Sequence, residues 1–190
     1  MNKRESIIQA TIDVVARQGI SDAPTSQIAK EAGAAELTLF RLFKNKKELL
    51  HQTYEEVQKR FKDKCWAKVE NIEDPEQKLI ELLKIAIKYF RKRPNELAYF
   101  QEYTNTPEGL LQRPDLQADI GKDISQAPLI SILEEGKAQG VFKDLPMTGL
   151  AGLASAALIM TLRAEQIRNK KISKKEIDLL IKACSQAVKA

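Results

Sequence analysis

An all-helical fold is predicted by three features of this chain. Apolar residues recur every three or four positions, no strand-length run alternates apolar with polar, and cap-like pairs stand ahead of the apolar stripes. The 190 residues are 43% hydrophobic and 30% charged, an ordinary globular composition with length enough to bury a core. The net charge of +5 permits an anionic partner without requiring one.

About nine helices are expected from the periodicity. The first opens at Asn2 with Glu5 at capping-box spacing, carries Ile7, Ile8, Thr11, Ile12, Val14 and Val15 inward, and stops at Gly19. After the turn Ser21-Asp22-Ala23-Pro24, Thr25 is expected to cap the second helix, whose inner face is Ile28, Ala29 and Ala32. Gly33-Ala34 breaks it. The third runs from Ala35 to Phe43, with Leu39, Phe40, Leu42 and Phe43 as its apolar side. Asn45 and Glu48 open a long fourth helix, along which Leu50, Tyr54, Val57, Phe61 and Cys65 share a face.

Asp74-Pro75 starts a fifth helix lined by Leu79, Leu82, Leu83, Ala86 and Phe90. Arg93-Pro94 ends it, because proline disfavours helical geometry in the residue before it. A sixth spans Asn95 to Asn105. Pro107 to Gly121, with two prolines and two glycines, reads as a long irregular loop. The seventh helix buries Leu129, Ile132 and Leu133 and ends at Gly140. The eighth has the stripe Leu150, Leu153, Ala154, Ala157, Leu158, Thr161 and Leu162, and the ninth opens on Ser173 with Glu176. The uncharged run from Leu145 to Leu162 includes Pro146, Gly149 and Gly152. Its strongly apolar part falls short of the ~20 residues a membrane span needs, so a buried helix and no membrane is the expectation.

Several classes of chemistry find no support. The single histidine, His51, has no cysteine or second histidine at ligand spacing, and Cys65 and Cys184 match no metal or redox pattern. No catalytic residue, metal or cofactor is expected, and the thiols read as reduced in a cytoplasmic protein. The mixed charges of MNKRESIIQA do not form a signal peptide.

The informative stretch is Thr25 to Leu50. Two short helices meeting at a glycine make a helix-turn-helix pattern. From Leu37 to Lys47 there is no acid, while Arg41, Lys44, Lys46 and Lys47 are basic. A compact cationic helix behind such a turn suits a DNA major groove. Thr25, Ser26, Thr38, Arg41, Lys44 and Lys46 are the candidates for phosphate contact, and Gln27, Ala35, Glu36 and Leu37 for base edges. Glu36 is able to accept from the amino group of cytosine, and Leu37 to pack on a thymine methyl. Phe40 and Phe43 read as support for the helix, with a sugar contact as the alternative for Phe40.

Thr25, Ile28, Ala29, Ala32, Gly33, Thr38, Leu39, Phe40, Phe43, Asn45, Lys46, Glu48 and Leu49-Leu50 together resemble the DNA-binding signature of TetR-family transcriptional regulators. The run from Gly136 to Phe142 resembles the family's region before its last two helices. The resemblance implies a helix-turn-helix domain over residues 1–46 and a ligand-binding and dimerisation domain over 47–190. It implies a cytoplasmic homodimer on a palindromic operator, most often a repressor released by a small-molecule inducer. On that footing Trp66, Phe90, Tyr99, Phe100 and Tyr103 are the pocket candidates. Leu150, Leu153, Ala154, Ala157, Leu158, Thr161, Ile177, Leu180, Ile181 and Cys184 are the subunit-interface candidates. Ala35 stands where the family often has a hydroxyl cap, Leu37 where it often has glycine, and Phe40 where it often has tyrosine. The alternatives are a small helical ligand carrier or enzyme, and a partner-controlled regulator without an inducer pocket.

Overall fold

The computed structural model describes residues 2–120 and 127–190. Apart from one isolated antiparallel bridge between Phe142 and Lys189, every regular element among the described residues is helical. The helices are α1 (Lys3–Gln18), α2 (Thr25–Glu31), α3 (Glu36–Leu42), α4 (Lys46–Val69), α5 (Pro75–Lys92), α6 (Pro94–Thr104), α7 (Pro107–Leu110), α8 (Pro114–Asp119), α9 (Pro128–Ala138), α10 (Met147–Arg168) and α11 (Lys174–Val188).

These eleven exceed the expected nine because Pro107–Gly121 is not an irregular loop as far as it is described. Each proline there sits at a helix N-terminus, where its fixed φ favours the first turn and its missing amide costs nothing. Thr106 caps α7 by accepting from the Gly109 amide, and Pro114 begins α8. Gly121 lies outside the described residues.

The chain packs as two compact units, Met1–Lys59 with Arg93–Leu111, and Arg60–Lys92 with Gln112–Ala190. By packing, the first part of α4 together with α6 and α7 joins the helix-turn-helix. The core of this first unit is Ile7, Ile8, Ile12 and Val15 of α1, Ile28 and Ala29 of α2, Leu39 of α3 with Phe43 just beyond it, Leu49, Leu50, Tyr54 and Val57 of α4, and Tyr99 and Tyr103 of α6. Asn2 and Glu5 form the expected reciprocal cap of α1. Asn45 accepts from the Glu48 amide at 2.9 Å.

In the second unit α5, α9, α10 and α11 pack on one another. Leu79, Leu82 and Leu83 meet a core that includes Ile132, Leu133, Phe142, Leu150, Ala154, Leu158, Ile177 and Ile181. Gly136 has a steric reason: a Cβ there would stand 2.1 Å from the Phe142 ring. The Arg91 guanidinium makes a two-pronged pair with Glu165 and also donates to the Ile172 carbonyl at 3.1 Å, while Glu165 accepts the Ile172 amide at 2.9 Å. The end of α10 and the turn into α11 are thereby tied to α5. Ser173 and Glu176 complete the cap of α11.

Candidate nucleic-acid interface

α2 and α3 are seven residues each, too short to be stable alone. Burial of one side of each holds them. Ile28, Ala29, Leu39 and Phe43 are inside. Gly33 turns the chain with φ 59°, left-handed backbone that glycine adopts without a Cβ clash. Its carbonyl accepts from Lys3 Nζ at 2.9 Å. Arg4 lies over the Phe43 ring, 5.6 Å from its centroid, and donates to Gln52. The N-terminus of α1 therefore braces the turn from behind.

The outward side of α3 differs from the sequence expectation. Leu39 and Phe43, one helical turn apart, are fully buried, whereas Phe40 is 40% exposed and Leu42 also faces solvent. Residues at i and i+4 share a face, so a helix of under two turns seats only that pair. Phe40 is no core support. The exposed residues of that side are Leu37, Phe40 and Arg41, with Lys44 just past the end of α3, and Leu37 is 81% exposed. Arg41 and Lys44 have no hydrogen-bond or ion-pair partner among the described residues. Thr38 is half-buried, and Ser26 and Ala35 are exposed.

Four candidates are already engaged. Thr25 is the first residue of α2 rather than its cap, which is Pro24; its hydroxyl donates to Glu36 Oε1 at 2.5 Å. Gln27 donates to Glu31 at 3.1 Å and accepts from Gln18 at 3.2 Å. Both carboxylate oxygens of Glu31 also accept from Arg17 Nη2, at 2.6 and 2.7 Å. The Arg17 bond, then that from Gln27, holds the Glu31 carboxyl below the usual range. Lys46 is turned inward to the Ile20 carbonyl at 3.0 Å, so it staples α4 to the end of α1. Lys47 pairs with Glu108 of α7 at 2.6 Å. His51 is half-buried, its Nδ1 3.0 Å from the Tyr103 hydroxyl and its Nε2 3.5 Å from Glu55. The sequence expectation puts Lys46 at a phosphate; in the structure its ammonium is half-buried against the Ile20 carbonyl.

The pocket candidates fall in different surroundings. Tyr99 is fully buried and donates to the Leu50 carbonyl at 2.6 Å. Phe100 and Tyr103 stack on Tyr54 with centroids 5.5 and 4.7 Å away. All three belong to the first unit. Trp66 and Phe90 are half-buried in the second, where Phe90 stacks on Phe61 at 5.2 Å and meets Tyr89 edge-on. Among the described residues no group of three or more His, Cys, Asp or Glu side chains is arranged to hold a metal.

The interface candidates also divide. Leu150, Ala154, Leu158, Ile177, Ile181 and Cys184 are buried within the unit's own core, rather than on the surface where the family resemblance put them. Thr161 and Leu180 are half-buried, and Leu153 and Ala157 are exposed. The free apolar face of α10 and α11 adds Met160 at 63% exposure, Ile167 at 78% and Leu179 at 58%. Sequence reasoning missed these three. Their signal was a helix apolar on both sides, since Leu153, Ala156, Ala157 and Met160 form a stripe beside Leu150, Ala154 and Leu158. α10 is also long and apolar enough to cross a membrane by composition, with a third of its most apolar window buried.

A bent pair of short helices, propped from behind and showing a cationic outer stripe, is the architecture of a helix-turn-helix regulator. The family model described as bacterial regulatory proteins, tetR family, matches residues 7–53, and that of the tetracyclin repressor-like C-terminal domain matches residues 76–189. The chain belongs to the TetR family. It is 28% identical over 144 residues to the HTH-type transcriptional repressor NicS of Pseudomonas putida, an alignment covering 74% of this chain and 66% of NicS, slightly under two thirds of that protein's length. A tetR family transcription regulator from Shewanella sp. superposes over the whole of both chains with a TM-score of 0.80 at 24% identity. FadR from Bacillus subtilis, solved in complex with stearoyl-CoA, covers 97% of each chain with a TM-score of 0.73 at 20% identity.

Proposed function

We infer that this protein is a sequence-specific DNA-binding transcriptional regulator, a homodimeric repressor that leaves a palindromic operator when a small molecule binds. The observation that carries the DNA-binding part is the exposed row Leu37, Phe40 and Arg41 of α3, with exposed Lys44 just past its end, on a helix fixed by buried Leu39 and Phe43. Arg41 and Lys44 are placed for phosphates, which hold a protein in register, and Leu37 for a base edge such as a thymine methyl. Thr38, Ser26 and Ala35 lie close enough in sequence to share the contact, while Gln27 and Lys46 support the scaffold. NicS is by name a repressor, which supports repression as the output, and a cytoplasmic location follows from that role.

Dimerisation uses the apolar face of Leu153, Ala157, Met160, Ile167 and Leu179, for which a second copy is the natural cover: in a two-fold dimer the same patch meets itself. Effector binding is assigned to the apolar surroundings of Trp66 and Phe90, because small-molecule sites are mostly apolar with few polar groups. The stearoyl-CoA held by FadR makes a long-chain acyl thioester the first compound to try.

Selection of bound duplexes from a random pool by the purified protein tests the first part. A two-fold symmetric consensus is expected; recovery of sequences no different from the starting pool would remove the reading. Trp66 is the sole tryptophan, so its fluorescence reports on the second part. A saturable change on titration with stearoyl-CoA, together with release of the selected DNA, is expected of the right effector class.

A further inference from the structure

Glu36 is the first residue of α3 and is exposed, on a helix whose one other charged side chain, Arg41, is cationic. An acid there weakens the attraction to phosphates. Acids in a helix's first turn favour its dipole, and any rotamer of Glu36 would satisfy that need. The side chain is instead fixed: Thr25 Oγ1, at the start of α2, donates to Oε1 at 2.5 Å. Oε2 takes no hydrogen bond among the described residues. The Thr25 proton is thereby committed to Glu36 rather than offered to a phosphate.

An ionised carboxylate accepts hydrogen bonds and does not donate. In the major groove the only donors are the amino groups N4 of cytosine and N6 of adenine; guanine N7 and O6, adenine N7 and thymine O4 all accept. Adenine carries its acceptor N7 beside its amino group, so a carboxylate approaching N6 also meets a lone pair. Cytosine has only C–H beside N4. A fixed acceptor at the tip of α3 is therefore satisfied best by cytosine and is left desolvated and unpaired against guanine or thymine, a loss larger than a missing contact.

We propose that Glu36 is a selectivity residue of the recognition helix and Thr25 its positioning residue: the Thr25 hydroxyl pins one carboxylate oxygen and aims the other at a base-edge amino group, cytosine N4 first. This rests on the DNA-binding reading above and extends it by naming the chemistry of one read position and the intramolecular bond that sets it.

The test compares base preferences, position by position, in duplexes selected by the wild-type protein and by Glu36→Gln, Thr25→Val and Thr25→Ser. In the wild type one position under each recognition helix is enriched in cytosine. Glu36→Gln, whose amide both donates and accepts, lowers that preference on the order of tenfold or more and binds scrambled duplex more tightly. Thr25→Val weakens the same position and no other, and Thr25→Ser, which keeps the hydroxyl, restores it. Unchanged preferences in Glu36→Gln, a uniform shift at all positions, or a wild-type consensus with no cytosine-enriched position under the recognition helix overturns the proposal while leaving DNA binding intact. A wild-type protein that binds no duplex even at low salt overturns the DNA-binding reading, and this one with it.

Discussion

Lys44 and Lys46 stand two residues apart and do different things. Lys44 is exposed and unpartnered among the described residues, whereas Lys46 donates to the Ile20 carbonyl. Lys44→Ala is expected to weaken binding to every duplex alike and to reduce the slope of log affinity against log salt by about one. Lys46→Ala should leave that slope nearly unchanged and lower stability by about 1 kcal/mol, the usual scale for one hydrogen bond. Salt titrations and denaturation curves of the two variants separate these roles, and exchanged outcomes would mean that the lysines have been assigned the wrong way round. The sequence made the pair look alike because charge is visible there and direction is not. Leu39 and Phe43 against Phe40 and Leu42 is the same lesson: four apolar residues were legible, but which two point inward depends on the helix to which they are docked. Both cysteines are free thiols, and both are buried. Burial pushes Cys65 up to about 12 and raises Cys184 as well, and the thiolate is the reactive form. A thiol reagent at pH 8 should label neither quickly until the protein is unfolded; stoichiometric labelling of the native protein within seconds would contradict the buried placement.

Elements were most legible where start signals and burial patterns lie close together in sequence. The caps of α1 and α11, the break between α5 and α6, and the glycine turn between α2 and α3 are all local and all present. What escaped is non-local. α10 has no side-chain cap of its own; Asp119 of α8 accepts from the Met147 amide at 2.6 Å, and from the Thr148 amide and hydroxyl at 3.1 and 2.9 Å. Glu165 is another such case, inside α10 yet bonded to α5 and to the turn beyond its own helix. Burial raises the Glu165 pKa, but the Arg91 bond and the Ile172 amide outweigh it and hold the carboxyl below its usual value. A folded-state pKa below the unfolded one makes stability rise with pH through that interval. The contribution of Glu165 is complete above an ordinary glutamate pKa of about 4.3 and is lost as pH falls through the lower folded value. Glu165→Gln should therefore cost about 3 kcal/mol at neutral pH, because Arg91 is left without its partner. Its stability should also fall less steeply than the wild type's on acidification below about pH 4. Denaturant midpoints measured from pH 7 to pH 3 check both, and parallel curves would show that the pair does not titrate as its geometry implies.

At the scale of the whole molecule, α10 carries more apolar surface than its own subunit covers. One side, with Leu150, Ala154 and Leu158, is core; the other, with Leu153, Ala157 and Met160, is open. A sequence stripe merges the two because small and apolar residues occupy both, and only the positions of α5, α9 and α11 decide which side is already taken. The two sides predict opposite phenotypes. Leu150→Ala removes buried atoms and should cost about 2–5 kcal/mol of stability without changing subunit number. Met160→Glu puts a charge on a face that is solvated in the single chain, so the isolated subunit should remain folded, with a change within about 0.5 kcal/mol. Pairing, by contrast, would require that carboxylate to be buried against apolar partner surface, and an uncompensated buried charge is costly enough to prevent it. Sedimentation equilibrium should thus show the mass of one chain for Met160→Glu where the wild type shows two. Affinity for a palindromic operator should fall by about 10²–10⁴, the gain that linking two recognition helices provides, while binding to a half-site duplex is unaffected. A Met160→Glu protein that still sediments as a dimer would place the interface on another surface, and an operator affinity that survives in a proven monomer would mean that a single recognition helix is sufficient.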